Sequence, residues 1–228
     1  MMKGQSRFDF NQAAAVYDEW FTTSMGRYYD LVEKRAINRV LKNISGKKLL
    51  EIGCGTGHWS KYFSAHGFSV VGVDISFEML KRTLRKRIPK AEFVQCDACH
   101  LSLRDNMFDI AVLITTIEFI EMPHIAIKEA VRCLKKPGGC LMVCTLNAES
   151  KLNKRRLAKN EVPYHKASML STKNLKYLLT PYGKPTIYTC AFSFNPTRPI
   201  PVIDPIFDSV AKTFKLQSGD IIIGEVKL

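Results

Sequence analysis

No apolar run among the 228 residues is long enough to cross a bilayer. Residues 1–10 lack the apolar stretch of a secretory leader, so a cytoplasmic location is expected. Repeats and low-complexity tracts are missing too, and one globular domain over residues 1–228 is expected. Acids are scarce: 21 Asp and Glu stand against 34 Lys and Arg, a net charge of +13. A surplus of that size can recruit RNA, anionic lipid or an acidic substrate. Here the basic residues are scattered, with denser runs at Lys81–Lys90 and Lys151–Lys159, and the surplus reads mainly as a solvated surface. Seven cysteines, an odd number, without an export signal read as reduced thiols. Cys96-x-x-Cys99 and Cys140-x-x-x-Cys144 invite a zinc reading, but the second pair falls on an expected strand. Residues four apart on a strand lie about 13 Å from each other, too far for both to sit about 2.3 Å from one zinc ion. No metal site is expected.

Two phosphate-binding fingerprints are also absent. A dinucleotide turn needs Gly-x-Gly-x-x-Gly, and counting from Gly53 the last position is His58. A Walker loop needs Lys-Ser or Lys-Thr after its last glycine, and none follows. What is present is Lys48-Leu49-Leu50-Glu51-Ile52-Gly53-Cys54-Gly55-Thr56-Gly57-His58-Trp59-Ser60. It reads as a buried strand, a tight turn and a helix start. Glycine tolerates positive φ and has no Cβ to hold a ligand away, so the turn's backbone amides are expected to face a ligand above the strand's C-terminal end.

As Glu-x-Gly-x-Gly-x-Gly, this turn resembles the first motif of the class I methyltransferases that use S-adenosylmethionine. That cofactor carries a sulfonium, an ammonium and a carboxylate, which suits an acid such as Glu51 beside the glycines. The downstream order agrees. Phe68–Asp74 reads as a short apolar strand ending in an acid about twenty residues after the turn, where adenosyl folds place a carboxylate on ribose hydroxyls. A helix follows, with Ser76 as its cap and Phe77, Leu80 and Leu84 buried. Ala91–Cys99 reads as a third strand ending at Asp97-Ala98, the pair that the resemblance assigns to the adenine amino group and ring nitrogen. Leu101 is expected as an apolar wall for the base. Phe108–Ile114 is an unbroken apolar strand, leading to Thr115 and Glu118. Glu129–Gly139 resembles the family's next helix and turn, before a strand at Cys140–Cys144.

Upstream, residues 10–21 read as one short helix, and Arg27–Leu41 as a second with Leu31, Val32, Ala36 and Val40 inward. The resemblance makes this lead-in a cover over the cofactor, with Tyr17 and Tyr28 the candidate aromatic groups. Beyond Thr145, a basic helix at Glu149–Lys159, a helix capped by Ser171 or Thr172, strands at Pro185–Phe194 and Gly219–Val226, and a proline-rich loop at Asn195–Pro205 are expected. The resemblance assigns Asn147–Lys166, with Tyr164 and His165, to the acceptor pocket.

The expected fold is therefore α/β: a Rossmann-like, doubly wound sheet of seven strands, mostly parallel, with an antiparallel C-terminal edge hairpin. Residues 1–45 form the lid, 46–145 the cofactor half and 146–228 the substrate side. Expected around S-adenosylmethionine are Tyr17, Tyr28, Glu51, Gly53, Cys54, Gly55, Gly57, Asp74, Ile75, Asp97, Ala98 and Thr115. Glu118 is the candidate catalytic group, with a solvent-exposed acid as its alternative. No Asn-Pro-Pro-Tyr follows the fourth strand, where enzymes that methylate base amino groups carry it, so a small-molecule acceptor leads over RNA or anionic lipid. An NAD-dependent oxidoreductase and a catalytically silent binding module are the rivals from other classes.

Overall fold

The computed structural model describes residues 6–192 and 216–228; the loop expected at Asn195–Pro205 lies outside them. Seven strands form one sheet: β1 Lys48–Ile52, β2 Ser69–Asp74, β3 Ala91–Gln95, β4 Ile110–Ile114, β5 Cys140–Leu146, β6 Thr186–Cys190 and β7 Ile221–Lys227. Their order is β3-β2-β1-β4-β5-β7-β6. The first five run parallel, and β7 is antiparallel to both β5 and β6. The strand order reverses between β1 and β4, the place where open α/β sheets bind ligands beyond their carboxyl ends.

The core follows from the two-residue period of a strand. Leu49, Ile110, Val112, Ile114, Met142 and Cys144 face one side, where they meet α2 (Ser24–Leu41) and α3 (His58–Ala65). Leu50, Ile52, Ala111, Leu113, Leu141 and Val143 face the other, against α5 (Pro123–Cys133) and α7 (Thr172–Leu179). The central strands are buried on both faces, hence their unbroken apolar runs. All seven cysteines are free thiols, and Cys140 and Cys144 are buried in the first of these layers.

The helices begin where side chains can cap them. Ser76 accepts from the Met79 amide at 3.2 Å at the head of α4 (Phe77–Arg85), Ser171 from the Asn174 amide at 3.1 Å, and Thr23 from the Gly26 amide at 2.9 Å. Four local expectations need correction. The segment expected as one helix over residues 10–21 is broken into α1 (Phe10–Ala13) and a 3₁₀ turn over Tyr17–Thr22. The break follows from long-range ties: Ser76 Oγ donates to Asn11 Oδ1 at 2.8 Å, and Thr56 Oγ1 donates to Asp18 at 2.5 Å. Leu31 is exposed, while Val32, Ala36 and Val40 are buried. Phe77 and Leu84 are more than half exposed, and α4 instead buries Met79, Leu80 and Thr83. Thr83 turns inward because its hydroxyl donates to the Gly55 carbonyl at 2.7 Å. A pattern count that scores threonine as polar misplaces that face. Leu101 is a core residue of the α5 layer, away from the cavity described below.

Gly26 is where α2 passes under the 3₁₀ turn; a Cβ there would lie 1.9 Å from the Trp20 carbonyl oxygen. Since backbone cannot yield cheaply, Gly26→Ala is expected to destabilise the protein by roughly 1–3 kcal/mol, read from denaturant melts. It should also weaken ligand binding, because Tyr17 rides on the displaced turn.

Candidate active site

The carboxyl ends of β1 to β4 open into a cavity of about 740 Å³, counting its mouth and the open solvent there. Its floor is the glycine turn. Gly53 and Gly55 have φ of 75° and 53°, a conformation that costs glycine little. A Cβ on Gly55 would meet nothing within 4 Å, so the space above it is open. Three of the turn's amides, expected to face that space, are instead taken within the protein. Gly53 and Cys54 donate to the Val73 carbonyl at 2.8 and 3.0 Å, and Gly55 donates to Asp74 Oδ2 at 2.7 Å. Asp74 Oδ1 accepts from the Ser76 amide at 2.8 Å. Burial pushes the Asp74 carboxyl above its ordinary range, against the pull of the Ser76, Gly55 and Ile75 amides. Each of its oxygens has taken one amide and keeps acceptor capacity.

Asp97 lines the same cavity with Ala98, accepts from the Cys99 amide at 2.8 Å and stands 3.5 Å from His100 Nδ1. Ile75 and Thr115 complete the group that the structure brings together: Tyr17, Gly53, Gly55, Asp74, Ile75, Asp97, Ala98 and Thr115. Thr115 has φ 45°, a strained geometry for a β-branched residue, and its amide donates to the Cys144 carbonyl at 2.8 Å.

The remaining expected residues stand outside the lining. Tyr28 is buried in the α2 layer, its hydroxyl donating to the Phe192 carbonyl. Glu51 is buried beneath the turn, accepts from Ser60 Oγ, and is pushed up to about 8 by burial, with Ser60 opposing and Asp74 adding to the rise. Cys54 is buried, and Gly57, at φ 78°, starts α3 under Thr83. Glu118 is not a surface acid: it is 0 % exposed and accepts from Thr145 Oγ1 at 3.1 Å and the Leu146 amide at 3.2 Å. Burial holds it up at about 7 in spite of those bonds.

Several lining residues were not singled out from the sequence, although the loop after β4 was expected near the transferred methyl. Thr116, Phe119 and Ile120 come from the turn after β4, and Ser6 and Phe10 from the N-terminal segment above it. That segment is fastened on two sides. Arg7 donates its amide to the Phe119 carbonyl at 2.8 Å, and Phe10 meets the Phe119 ring edge-on at 5.0 Å. On the other side Asn11 holds Ser76, and Asp18 is ion-paired to Lys86 at 2.7 Å. His58, the residue that breaks the dinucleotide pattern, stacks on Phe21 at 3.6 Å and binds Asp30 at 2.6 Å. It ties the 3₁₀ turn to α2 and α3.

The lining holds two aspartates and, among the described residues, no Lys, Arg or His. A phosphate-bearing dinucleotide would meet only negative charge there. A ligand with a sulfonium, an ammonium and ribose hydroxyls would meet acceptors, with apolar walls from Ile52, Val73, Met79 and Ile114. The comparisons with known proteins agree. The methyltransferase domain family model matches residues 50–143. The uncharacterized protein MJ1123 of Methanocaldococcus jannaschii is 32% identical over 180 residues, which cover 76% of this chain and 80% of that one. A solved Thermotoga maritima structure, described as a SAM-dependent methyltransferase and possible histamine N-methyltransferase, is 25% identical with a TM-score of 0.74 and covers 95% of this chain and 96% of that one. The chain belongs to the class I S-adenosylmethionine-dependent methyltransferases. A demethylmenaquinone methyltransferase of Clavibacter sepedonicus is 31% identical over 145 residues, 62% of this methyltransferase and 58% of that one. The cofactor is S-adenosylmethionine, and the residues present fit it. No helix among the described residues is long and apolar enough to cross a membrane.

Two measurements test this site. Asp74→Ala is expected to weaken S-adenosylmethionine binding by roughly 1.5–3 kcal/mol, the value of a hydrogen bond to a charged group; unchanged affinity in calorimetry removes Asp74 from the site. Gly55→Ala should cost about 1 kcal/mol of stability for its backbone geometry and reduce cofactor affinity more than tenfold in calorimetry, because the added Cβ would project into the open cavity.

Glu33, Glu51 and Glu118 share a further property, since burial raises all three from 4.5, to about 8, 8 and 7. Above pH 4.5 the unfolded chain gives up these protons while the folded chain keeps them, so stability falls as pH rises toward 8. Each unmatched proton contributes about 1.4 kcal/mol per pH unit. The melting temperature should therefore be higher at pH 5.5 than at pH 8, and Glu33→Gln should flatten the difference.

Proposed function

We propose that this methyltransferase acts on a small-molecule acceptor bound beneath its N-terminal segment. The observation that carries this reading is the cover itself. Ser6, Phe10 and Tyr17 roof the cavity, and the segment is fastened to α4 on one side and to the 117–120 turn on the other. A polymer or a bilayer surface would have to displace it, whereas a metabolite fits under it. The exposed basic residues of α6 (Lys151–Ala158) take no part in the lining. In this proposal residues 1–45 are the lid, 46–145 the cofactor half and 146–228 the substrate side of one domain.

The bound cofactor supplies an electrophilic methyl group on positively charged sulfur. The chain's task is to hold the acceptor in line with it and to exclude water. Asp74 would accept from the ribose hydroxyls, and Asp97 with Ala98 would hold the adenine edge. Tyr17 closes the cavity over Gly53, Gly55, Ile75 and Thr115. Glu118, one residue before the cavity-lining Phe119, is poised near neutral pH, where a general base works best.

The test is transfer of a labelled methyl group from S-adenosylmethionine into a cell extract separated into metabolites, RNA and lipid. Label is expected in the metabolite fraction; label confined to RNA or lipid would replace this reading.

A further inference from the structure

The roles above leave Glu33 unused. It lies in the middle of α2 on the buried side, 6 % exposed, and its Oε1 has no hydrogen-bond partner. Burying a carboxyl without a partner is costly, and a buried negative charge calls for a cation. Among the described residues no cation pairs with it directly, and Lys34 acts on it only through space. Lys34, next in the chain, is bound to Asp30 at 2.6 Å. The buried Arg156 is engaged by Asn153 Oδ1 at 3.1 Å and lies 4.0 Å from the centre of the Tyr164 ring. Among the described residues neither Glu33 nor Glu118 makes an ion pair.

The two carboxyls belong to one region. Each is within electrostatic reach of the Cys144 thiol at the end of β5, and of the Tyr17 and Tyr164 phenols. Glu118 is held by Thr145 and Leu146, immediately after Cys144, and the Cys144 carbonyl receives the Thr115 amide. Thr115 and Tyr17 line the cofactor cavity. Glu118 thus stands just after β4, next to the cavity-lining Phe119, and both carboxyls act on Tyr17, which lines that cavity.

Building on the small-molecule reading, we propose that the methyl acceptor is an amine, received as its ammonium between Glu33 and Glu118 beside Tyr17 and Tyr164. An ammonium supplies the donors that Glu33 lacks and is attracted to aromatic faces. A neutral acceptor could donate a hydrogen bond but would leave the charge of an ionised Glu33 unbalanced, and an anionic one would be repelled. Burial first, then Asp30 and Glu118, hold the Glu33 carboxyl up at about 8, so an arriving cation stabilises its ionised form. The step balances. The ammonium gives one proton to a carboxylate, and the freed nitrogen lone pair forms the new bond to the methyl carbon. The carbon–sulfur bond breaks with its electron pair passing to sulfur, leaving a neutral thioether and a methylated ammonium.

The test compares phenethylamine with 2-phenylethanol by calorimetry on protein saturated with S-adenosylhomocysteine. The amine should bind at least tenfold more tightly than the alcohol. Glu33→Gln should reduce that ratio below threefold while its affinity for S-adenosylhomocysteine stays within twofold. Equal binding of amine and alcohol to the native protein overturns the proposal, as does a Glu33→Gln variant that keeps the preference. If that variant does not fold, the native ratio decides, together with the charge of the product. Methyl-labelled product from the metabolite fraction should be retained by a cation exchanger. A neutral or anionic product refutes the amine and leaves the small-molecule reading standing, whereas label found only in RNA or lipid refutes the latter.

Discussion

The carboxylate of Asp74 takes one amide from the glycine turn after β1 and another from the start of α4. Two chain segments 19 positions apart thereby share one anion. Without it, the Gly55 amide would be left unpaired at a half-buried turn, and α4 would lose its registration against that turn. The same anion borders the cavity, so the group that shapes the floor also presents acceptor oxygens to the ligand. Thr83 and Gly57 depend on this arrangement: the threonine hydroxyl reaches the Gly55 carbonyl only because α4 is rotated to bring it there, and Gly57 has no Cβ to obstruct its methyl group.

Most of the fold was legible in the sequence because the relevant forces act over short stretches. The unbroken apolar run of β5, the cap at Ser76 and the stop at Lys136–Gly139 each follow from neighbouring residues. The glycine turn and the acids after β2 and β3 could be read from spacing, since strand ends in this sheet converge. Failures came where distant contacts outweigh local preference. The N-terminal helix breaks because Asn11 and Asp18 are held by residues more than thirty positions away. Tyr28 and Tyr17 are both plausible aromatic lids by composition, yet only a helix axis decides that Tyr28 points into the core. The turn amides, expected to face a ligand, are consumed by Val73 and Asp74. Glu33 carried no motif; its significance appears only once its burial and lack of partner are known.

The molecule separates its charges. Its positive surplus is spread over exposed helices such as α4 and α6, while the cavity and its surroundings hold Asp74, Asp97, Glu118 and Glu33. This separation explains why net charge alone misdirects attention toward polyanions. The charged surface faces solvent, while the interior beside the cavity presents the opposite sign. Buried acids of this kind are unfavourable for stability, and the fold bears that cost beside the cavity and beneath its floor, where a ligand can offset it.

The covering segment is tied down by a handful of hydrogen bonds and one ion pair, whereas the sheet beneath it is continuously paired and its central strands β4 and β5 are fully buried. Such a difference in anchorage means that the two will not loosen together. On warming, the strap through Ser6, Phe10 and Asn11 will lift while the seven strands remain intact. Turnover should therefore fade at temperatures where spectroscopic signals of the sheet are still unchanged, and the enzyme's working range is set by its thinnest attachment.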